Sequence, residues 1–127
     1  MDKQHNVNIG KIGEEEACKY LSKQGYEIID RNFYTYKGEI DIIAKKNEQY
    51  VFVEVKTRMN KKYGRGFEAI TPVKLKHFKL AVNYYIYKYK LFNKTIRLDA
   101  IEVFMRDKIE ISHIKNITIW TIKLYFP

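Results

Sequence analysis

The sequence GEIDIIA at residues 38–44, followed by KKNE at 45–48 and YVFVEVKTR at 50–58, decides the fold. Alternating apolar residues flank a short polar segment, and this pattern predicts a β-hairpin.

Alternation along the two strands predicts which side chains are buried. In the first strand it places Ile40 with Ile42 on one face and Glu39 with Asp41 on the other. The second strand is apolar on both faces up to Glu54, where one face becomes ionic. This change indicates a buried strand that runs out into a cleft.

The register of the hairpin depends on its turn. If Asn47-Glu48 is a two-residue turn, residues whose numbers sum to 95 lie opposite each other. Asp41 then faces Glu54 with Cβ atoms about 5 Å apart, and Glu39 faces Lys56. Asn-Glu is not the favoured Asn-Gly turn, and a slip of one residue would separate the two carboxylates. In this register the carboxylates and the lysine converge, as the binding of a divalent metal and the activation of a water require. The alternative is a patch of salt bridges on a solvated face of the sheet.

Composition limits the classes of protein that fit. A chain of 127 residues predicts one domain spanning residues 1–127, with enough apolar residues for a core. Hydrophobic residues at 46% and aromatic residues at 15% exclude a disordered protein. The net charge of +9 favours a polyanionic partner such as DNA, although an anionic membrane surface would also suit it.

Cysteine and histidine offer little for a metal site. The only cysteine, Cys18, cannot form an internal disulfide or a cysteine-based zinc site. His5, His77 and His113 lie far apart, and we expect each at the surface or at a cap.

A signal sequence and a membrane-spanning apolar run are both lacking, so we expect a cytoplasmic protein without membrane contact.

A helix is predicted from Asn8 to about Gln24, after a polar segment 1–7 that we expect to be frayed. Helical spacing places Glu14 at the edge of the buried stripe. The simpler interpretation of the acidic triplet at 14–16 is a solvated turn, and Glu14 is its best candidate for a site.

The segment 59–67 is rich in glycine and basic residues and leaves the charged end of the second strand. It suits a phosphate backbone, although an ordinary solvated connection explains it equally well. The residues predicted to contact nucleic acid are Arg58, Lys61, Lys62, Arg65 and Lys74.

The remaining elements complete an α/β domain on a mixed sheet, in the order α-β-β-β-α-β-β. Thr71-Pro72 predicts a helix start, with Thr as the N-cap. Its inward stripe is predicted to contain Leu75, Phe78, Val82, Tyr85 and Tyr89. Strands are predicted at 26–36 (irregular), 96–104 and 109–114, followed by an apolar, β-prone tail at 117–127.

The hairpin resembles that of the bacterial YraN-type proteins, a family related to archaeal Holliday junction resolvases in the PD-(D/E)XK, or restriction-endonuclease-like, superfamily. GEID at 38–41 and VFVEVKTR at 51–58 carry the resemblance, which extends over roughly residues 8–117. RLD at 97–99 resembles the family's Arg-Phe-Asp strand, with Leu98 in place of Phe. Ile40 stands where the superfamily pattern has Pro.

The resemblance implies a restriction-endonuclease-like three-layer domain that hydrolyses phosphodiester bonds in branched or structured DNA. Asp41 corresponds to the metal-binding Asp, and Glu54 with Lys56 to the Glu-x-Lys pair. Asp41, Glu54 and the Val55 carbonyl would bind Mg²⁺ or Mn²⁺, joined by Glu14. Lys56 would orient or deprotonate the attacking water.

Three points stay open at the level of the sequence. Glu39 has a secondary role, because the predicted register allows it to pair with Lys56. A homodimer is implied only by analogy with the resolvases. A nucleic-acid-binding module without turnover is the alternative function, and docking of other proteins through the apolar tail is a third.

Overall fold

The computed structural model describes residues 3–59 and 71–117. The elements are α1 (Lys3–Lys23), β1 (Glu27–Tyr34), β2 (Glu39–Lys46), β3 (Gln49–Arg58), α2 (Pro72–Lys88), β4 (Thr95–Met105) and β5 (Ile109–Ile114). The predicted α/β class and the order α-β-β-β-α-β-β are confirmed.

The strands form one five-stranded mixed sheet in the order β1–β2–β3–β4–β5. Neighbouring strands are antiparallel except for β3 and β4, which are parallel. A parallel pair needs a long crossover connection, and the chain between these two strands contains α2. The two helices contribute to different core clusters, so the sheet is the middle of three layers.

The face of the sheet covered by α1 is packed with small and branched side chains. Ala17, Cys18 and Leu21 of α1 are buried against β2, β3 and β4. A side chain at Gly13 would collide with Thr57, so α1 crosses closely over the C-terminal part of β3. This close approach brings the first half of α1 to the charged end of β3.

The predicted start of α1 is wrong. The helix begins at Lys3 rather than at Asn8, so the segment predicted to be frayed is helical from residue 3 onward. Four of the five added residues, 3–6, are polar and leave no apolar stripe, which is the only helix signal that periodicity detects.

The predicted start of α2 is confirmed. Thr71 is the N-cap, its Oγ1 accepts a hydrogen bond from the Lys74 N–H at 3.2 Å, and Pro72 occupies the first turn. Leu75 and Phe78 are buried in the second core cluster. The predicted inward position of Tyr89 is wrong, because this residue is the C-cap and its side chain is exposed.

The predicted turn of the central hairpin is confirmed. Asn47 and Glu48 both have positive φ angles, of 51° and 66°, as a type I′ turn requires. The register in which residue numbers sum to 95 holds from Lys46–Gln49 to Ile42–Val53. The predicted register therefore forms although the turn contains no glycine. Burial of the two strands favours this register, because a slip of one residue would turn their side chains to the opposite faces.

The predicted alternation fails at the N-terminal end of β2. Ile40 packs with Ile43 in the α2-side cluster, whereas Ile42 packs in the α1-side cluster. The ladder with β3 ends at Ile42–Val53, one pair before Asp41. Side chains alternate strictly between the two faces of a sheet only where the ladder is continuous. The predicted alternation therefore does not extend from Ile42 to Asp41 and Ile40.

Two further predictions concern the first strand and the tail that follows β5. The irregular first strand is confirmed as β1, with a register shift between Ile28 and Asp30. Ile117 is buried, and its N–H donates to the Leu98 carbonyl at 2.7 Å, while 118–127 lie outside the described residues.

Of the helices in the described ranges, none combines the length and apolar character needed to cross a membrane.

The RLD sequence at 97–99 forms a buried polar network. Asp99 is fully buried, and Arg97 donates to its two carboxylate oxygens at 2.9 and 2.8 Å. His113 Nε2 lies 2.7 Å from Asp99 Oδ2, and the Asn116 N–H donates to Oδ1 at 2.9 Å. Burial alone would raise the pKa of Asp99, but these hydrogen bonds lower it below its ordinary value.

The same network connects distant parts of the chain. The Tyr20 hydroxyl on α1 lies 2.9 Å from His113 Nδ1, and Arg97 donates to the Tyr26 hydroxyl at 2.6 Å. Arg97 also donates to Gln49 at the start of β3, at 3.2 Å. The predicted surface position of His113 is therefore wrong, since its ring is buried between these partners.

We expect Asp99→Ala to lower the free energy of unfolding by about 3 kcal/mol or more, because Arg97 is left largely buried without its carboxylate. Urea denaturation at pH 7 measures this change. The control Asp107→Ala, in the exposed turn between β4 and β5, should stay within about 0.5 kcal/mol of the wild type. Equal stability of Asp99→Ala and the wild type would contradict a structural role for the network.

Candidate active site

Asp41 lies on β2 just beyond the end of the ladder with β3. Its carboxylate Oδ2 accepts a hydrogen bond from the Val55 backbone N–H at 2.7 Å. Asp41 is only 9% exposed, so the carboxylate is removed from most solvent. This bond fixes the position of the Asp41 carboxylate relative to β3, where direct pairing of the two backbones has ended.

Glu54 follows Val53, the last residue of β3 that pairs with β2, and it is partly buried. Burial raises the pKa of Asp41 to about 7, against the effect of the Val55 hydrogen bond, and the charge of Glu54 adds to this rise. Burial also raises the pKa of Glu54 to about 6, while Lys74 lowers it. Two desolvated carboxylates therefore lie within electrostatic reach of each other.

Glu14 approaches the same place from α1. It lines a cleft of about 490 Å³ together with Val55, Lys56 and Thr57 of β3. Burial raises the pKa of Glu14, and the Glu39 carboxylate raises it further. Glu14 therefore lies within electrostatic reach of Asp41, although neither Asp41 nor Glu54 lines this cleft.

The other two members of the triplet lie elsewhere. Glu15 forms an ion pair with Arg31 at 3.0 Å, and Glu16 pairs with Lys19 at 3.4 Å. Both pairs lie partly in solvent and suit the simple interpretation of an acidic helix surface.

Glu39 is exposed and does not follow the predicted pairing with Lys56. It lies opposite Tyr34 in the β1–β2 ladder, and the β2–β3 ladder ends before it. Its charge raises the pKa values of Asp41 and Glu54, so it belongs to the electrostatic surroundings of the site.

Lys56 is the cation nearest to this cluster along β3. Burial lowers its pKa, the charges of Lys74 and Arg58 lower it further, and Glu54 opposes the shift. A lysine with a lowered pKa loses its proton more easily than a free one. Lys56 and Asp41 thus both lie within electrostatic reach of Glu54, although the predicted cross-strand pair of Asp41 with Glu54 is not part of the ladder.

Glu102 was missed by the sequence analysis. It is fully buried on β4, lies next to Lys56 in the parallel register, and forms an ion pair with Arg58. A glutamate inside the apolar run at 98–104 was the available signal, because a buried strand seldom carries a charge without a partner.

The basic residues predicted to contact nucleic acid have different surroundings. Lys74 is exposed in the first turn of α2 and acts on Glu54, whereas Arg58 is held by the buried Glu102. Lys61, Lys62 and Arg65 lie in the segment 60–70, outside the described residues. Only Lys74 among the described members of this set is thus an exposed cation next to the carboxylates.

The donor atoms at this site suit a hard cation. Within the described ranges, no three Asp, Glu, His or Cys side chains form a ready-made metal site. Mg²⁺, however, is usually bound by one or two carboxylates and keeps several waters. Asp41 and Glu54 supply two carboxylates whose raised pKa values reflect burial and repulsion, and a divalent cation would relieve both.

Comparisons with known proteins identify relatives of the chain. The model of "Uncharacterised protein family UPF0102" matches residues 13–103, which is more than half of the chain. A UPF0102 protein of Caldicellulosiruptor saccharolyticus is 46% identical over 111 residues, covering 85% of this chain and 94% of that protein. A UPF0102 protein of Syntrophomonas wolfei is 41% identical over 112 residues, covering 87% and 97%.

Among solved structures, the crystal structure of a protein called SSO0001 resembles the chain, with a TM-score of 0.37 and 20% identity. The match covers 87% of this chain and 52% of that chain. A likeness of this strength carries no argument about the site.

We expect Asp41→Asn to stabilise the protein at pH 8 by about 2 kcal/mol and to have no stabilising effect at pH 4. The folded-state pKa of about 7 exceeds the ordinary value of 3.8, so the cost of this carboxylate to folding grows from about pH 4 to pH 7 and is complete at pH 8. This cost is lost as the pH falls from 7 to about 4, because the unfolded chain then also takes up the proton. Urea denaturation in EDTA at the two pH values measures the difference.

Glu27→Gln, at an exposed position of β1, is the matched control and should show no such pH-dependent gain. A gain of equal size at pH 4 and pH 8 for Asp41→Asn would contradict the proposed burial of an ionised carboxylate.

Proposed function

The chain belongs to the uncharacterised protein family UPF0102, and we propose that it is a metal-dependent DNA endonuclease acting on branched or otherwise structured DNA. One observation carries this proposal: a buried Asp41 carboxylate, anchored on the Val55 N–H, lies within electrostatic reach of Glu54, which Lys56 also reaches. A net charge of +9 supports a polyanionic substrate.

In this proposal the oxygen donors of Asp41, Glu54 and the Val55 carbonyl would hold Mg²⁺ or Mn²⁺, and Glu14 would add a fourth donor from α1. Such an ion would supply Lewis-acid chemistry, which lowers the pKa of a water and stabilises charge on a phosphate. The hydrogen bond from the Val55 N–H keeps Asp41 oriented, so that its second carboxylate oxygen stays available.

Lys56 acts on the attacking water. Its amine would orient or deprotonate that water, and partial burial lowers the pKa of this group. In its charged form the same group offsets charge on the phosphate. Lys74, exposed in the first turn of α2 and within electrostatic reach of Glu54, would contact a neighbouring phosphate of the DNA backbone.

The alternative is a nucleic-acid-binding module of the same fold without turnover. The lack of three clustered metal-binding side chains in the described ranges favours it. It predicts binding that weakens steeply with salt but no cleavage with either metal. Cleavage assays on linear, flapped and four-way DNA distinguish the two functions.

We expect Mg²⁺- or Mn²⁺-dependent cleavage of structured DNA by the wild type. Separate substitutions Asp41→Ala, Glu54→Ala and Lys56→Ala should each lower the rate at least about 100-fold, because each removes a metal ligand or the group acting on water. Single-turnover cleavage on a gel measures the rates.

Lys108→Ala, an exposed lysine in the turn between β4 and β5, is the control and should cleave at the wild-type rate. Equal cleavage by the wild type and all three site variants would point to a contaminating nuclease and contradict the proposal.

We also expect Mn²⁺ to bind the wild type and to bind the Asp41→Ala, Glu54→Ala double variant at least about tenfold more weakly, because two carboxylate donors are lost. Isothermal titration calorimetry without DNA measures both affinities. Identical binding by the two proteins would remove the proposed metal site from the hairpin.

A further inference from the structure

The turn between β1 and β2 carries two exposed aromatic side chains. Tyr34 is 67% exposed at the end of β1, and Tyr36 is 91% exposed in the turn itself. A nearly free ring on a structured turn offers a large, flat apolar face to a ligand. The Lys37 Nζ lies 5.3 Å from the centroid of the Tyr36 ring.

Hydrogen bonds hold this turn in one conformation. The N–H and the hydroxyl of Thr35 both donate to the Gly38 carbonyl at 2.8 Å. The Thr35 hydroxyl oxygen accepts from the N–H groups of Gly38 and Lys37 at 3.0 and 3.2 Å. Tyr36 is thus presented by a fixed backbone, which lowers the entropic cost of binding through its ring.

The turn is also fixed against α2. A Cβ atom at Gly38 would lie 2.5 Å from the His77 carbonyl oxygen, so only glycine allows this approach. The contact positions the turn beside the N-terminal half of α2, which also carries Lys74.

The turn lies next to the proposed active site. Tyr34 faces Glu39 in the β1–β2 ladder. Slight burial and the charges of Glu39, Glu14 and Asp41 raise the pKa of Tyr34. Tyr36 follows Tyr34 by two residues, which span at most about 7 Å of extended backbone.

We propose that Tyr36, together with Lys37, forms a stacking platform for an unpaired nucleobase next to the scissile phosphate. This inference rests on the proposed function, since it takes DNA as the substrate. Aromatic rings stack on any base with an accessible face, and a nearby lysine neutralises the phosphate backbone. A base inside a duplex already stacks on both faces. The platform therefore selects DNA with unpaired bases, such as flaps and forks, over continuous duplex.

The test uses the full chain in EDTA and a flap DNA with 2-aminopurine in its unpaired arm. Fluorescence of this base falls when it stacks on an aromatic ring. We expect Tyr36→Ala to bind the flap at least about fivefold more weakly than the wild type and to lose the quenching. Tyr36→Trp should keep both, and binding to a continuous duplex should change less than about twofold for either variant.

Tyr87→Ala is the matched control. Tyr87 is 75% exposed near the C-terminal end of α2, whereas the turn contacts the N-terminal half of that helix. The substitution removes another exposed tyrosine ring, from the end of α2 that the turn does not contact. It should leave flap binding and quenching unchanged.

Three outcomes would overturn the inference. Equal weakening on flap and duplex would make Tyr36 a general DNA contact, and unchanged flap binding would assign the ring to another partner, such as a protein. A wild type that binds no flap DNA would overturn both the inference and the proposed function. Selective loss by Tyr36→Ala in a protein that never cleaves would support the platform and overturn only the catalysis.

Discussion

The hydrogen bond from the Val55 N–H to the Asp41 carboxylate is the constraint on which the site depends. The β2–β3 ladder ends at Ile42–Val53, whereas β3 continues to pair with β4 as far as Arg58. Backbone N–H groups beyond the ladder need an acceptor when they are buried. A side-chain carboxylate supplies it here. The fold thereby fixes an acid at the point where two strands separate and a cleft can open.

Two buried acids, Asp99 and Asp41, have contrasting surroundings. Asp99 accepts hydrogen bonds from Arg97 and from the Asn116 N–H and contacts His113, and its pKa is lowered. Asp41 has one backbone donor and several acidic neighbours, and its pKa is raised. The first charge is compensated by the fold itself. The second is compensated only incompletely, which is the condition expected of a group that serves a cation or a reaction.

Much of the fold could be predicted because local signals agreed with one another. The hairpin register followed from the turn at Asn47-Glu48, and the start of α2 followed from Thr71 and Pro72. The start of α1 could not be predicted, because polar residues extend a helix without leaving a periodic apolar pattern. The exposed position of Tyr89 was missed for a related reason: a stripe does not show where the helix stops packing.

The sequence by itself determined the elements, their order, and the identity of Asp41, Glu54 and Lys56 as neighbours on one hairpin, because all three lie within one locally encoded unit. Only the tertiary structure decided what surrounds them. Pairing of β3 with β4 brings the buried Glu102 to Arg58, and packing of α1 brings Glu14 to the cleft. These contacts join residues far apart in the chain, and no local periodicity encodes which strand or helix will lie beside which.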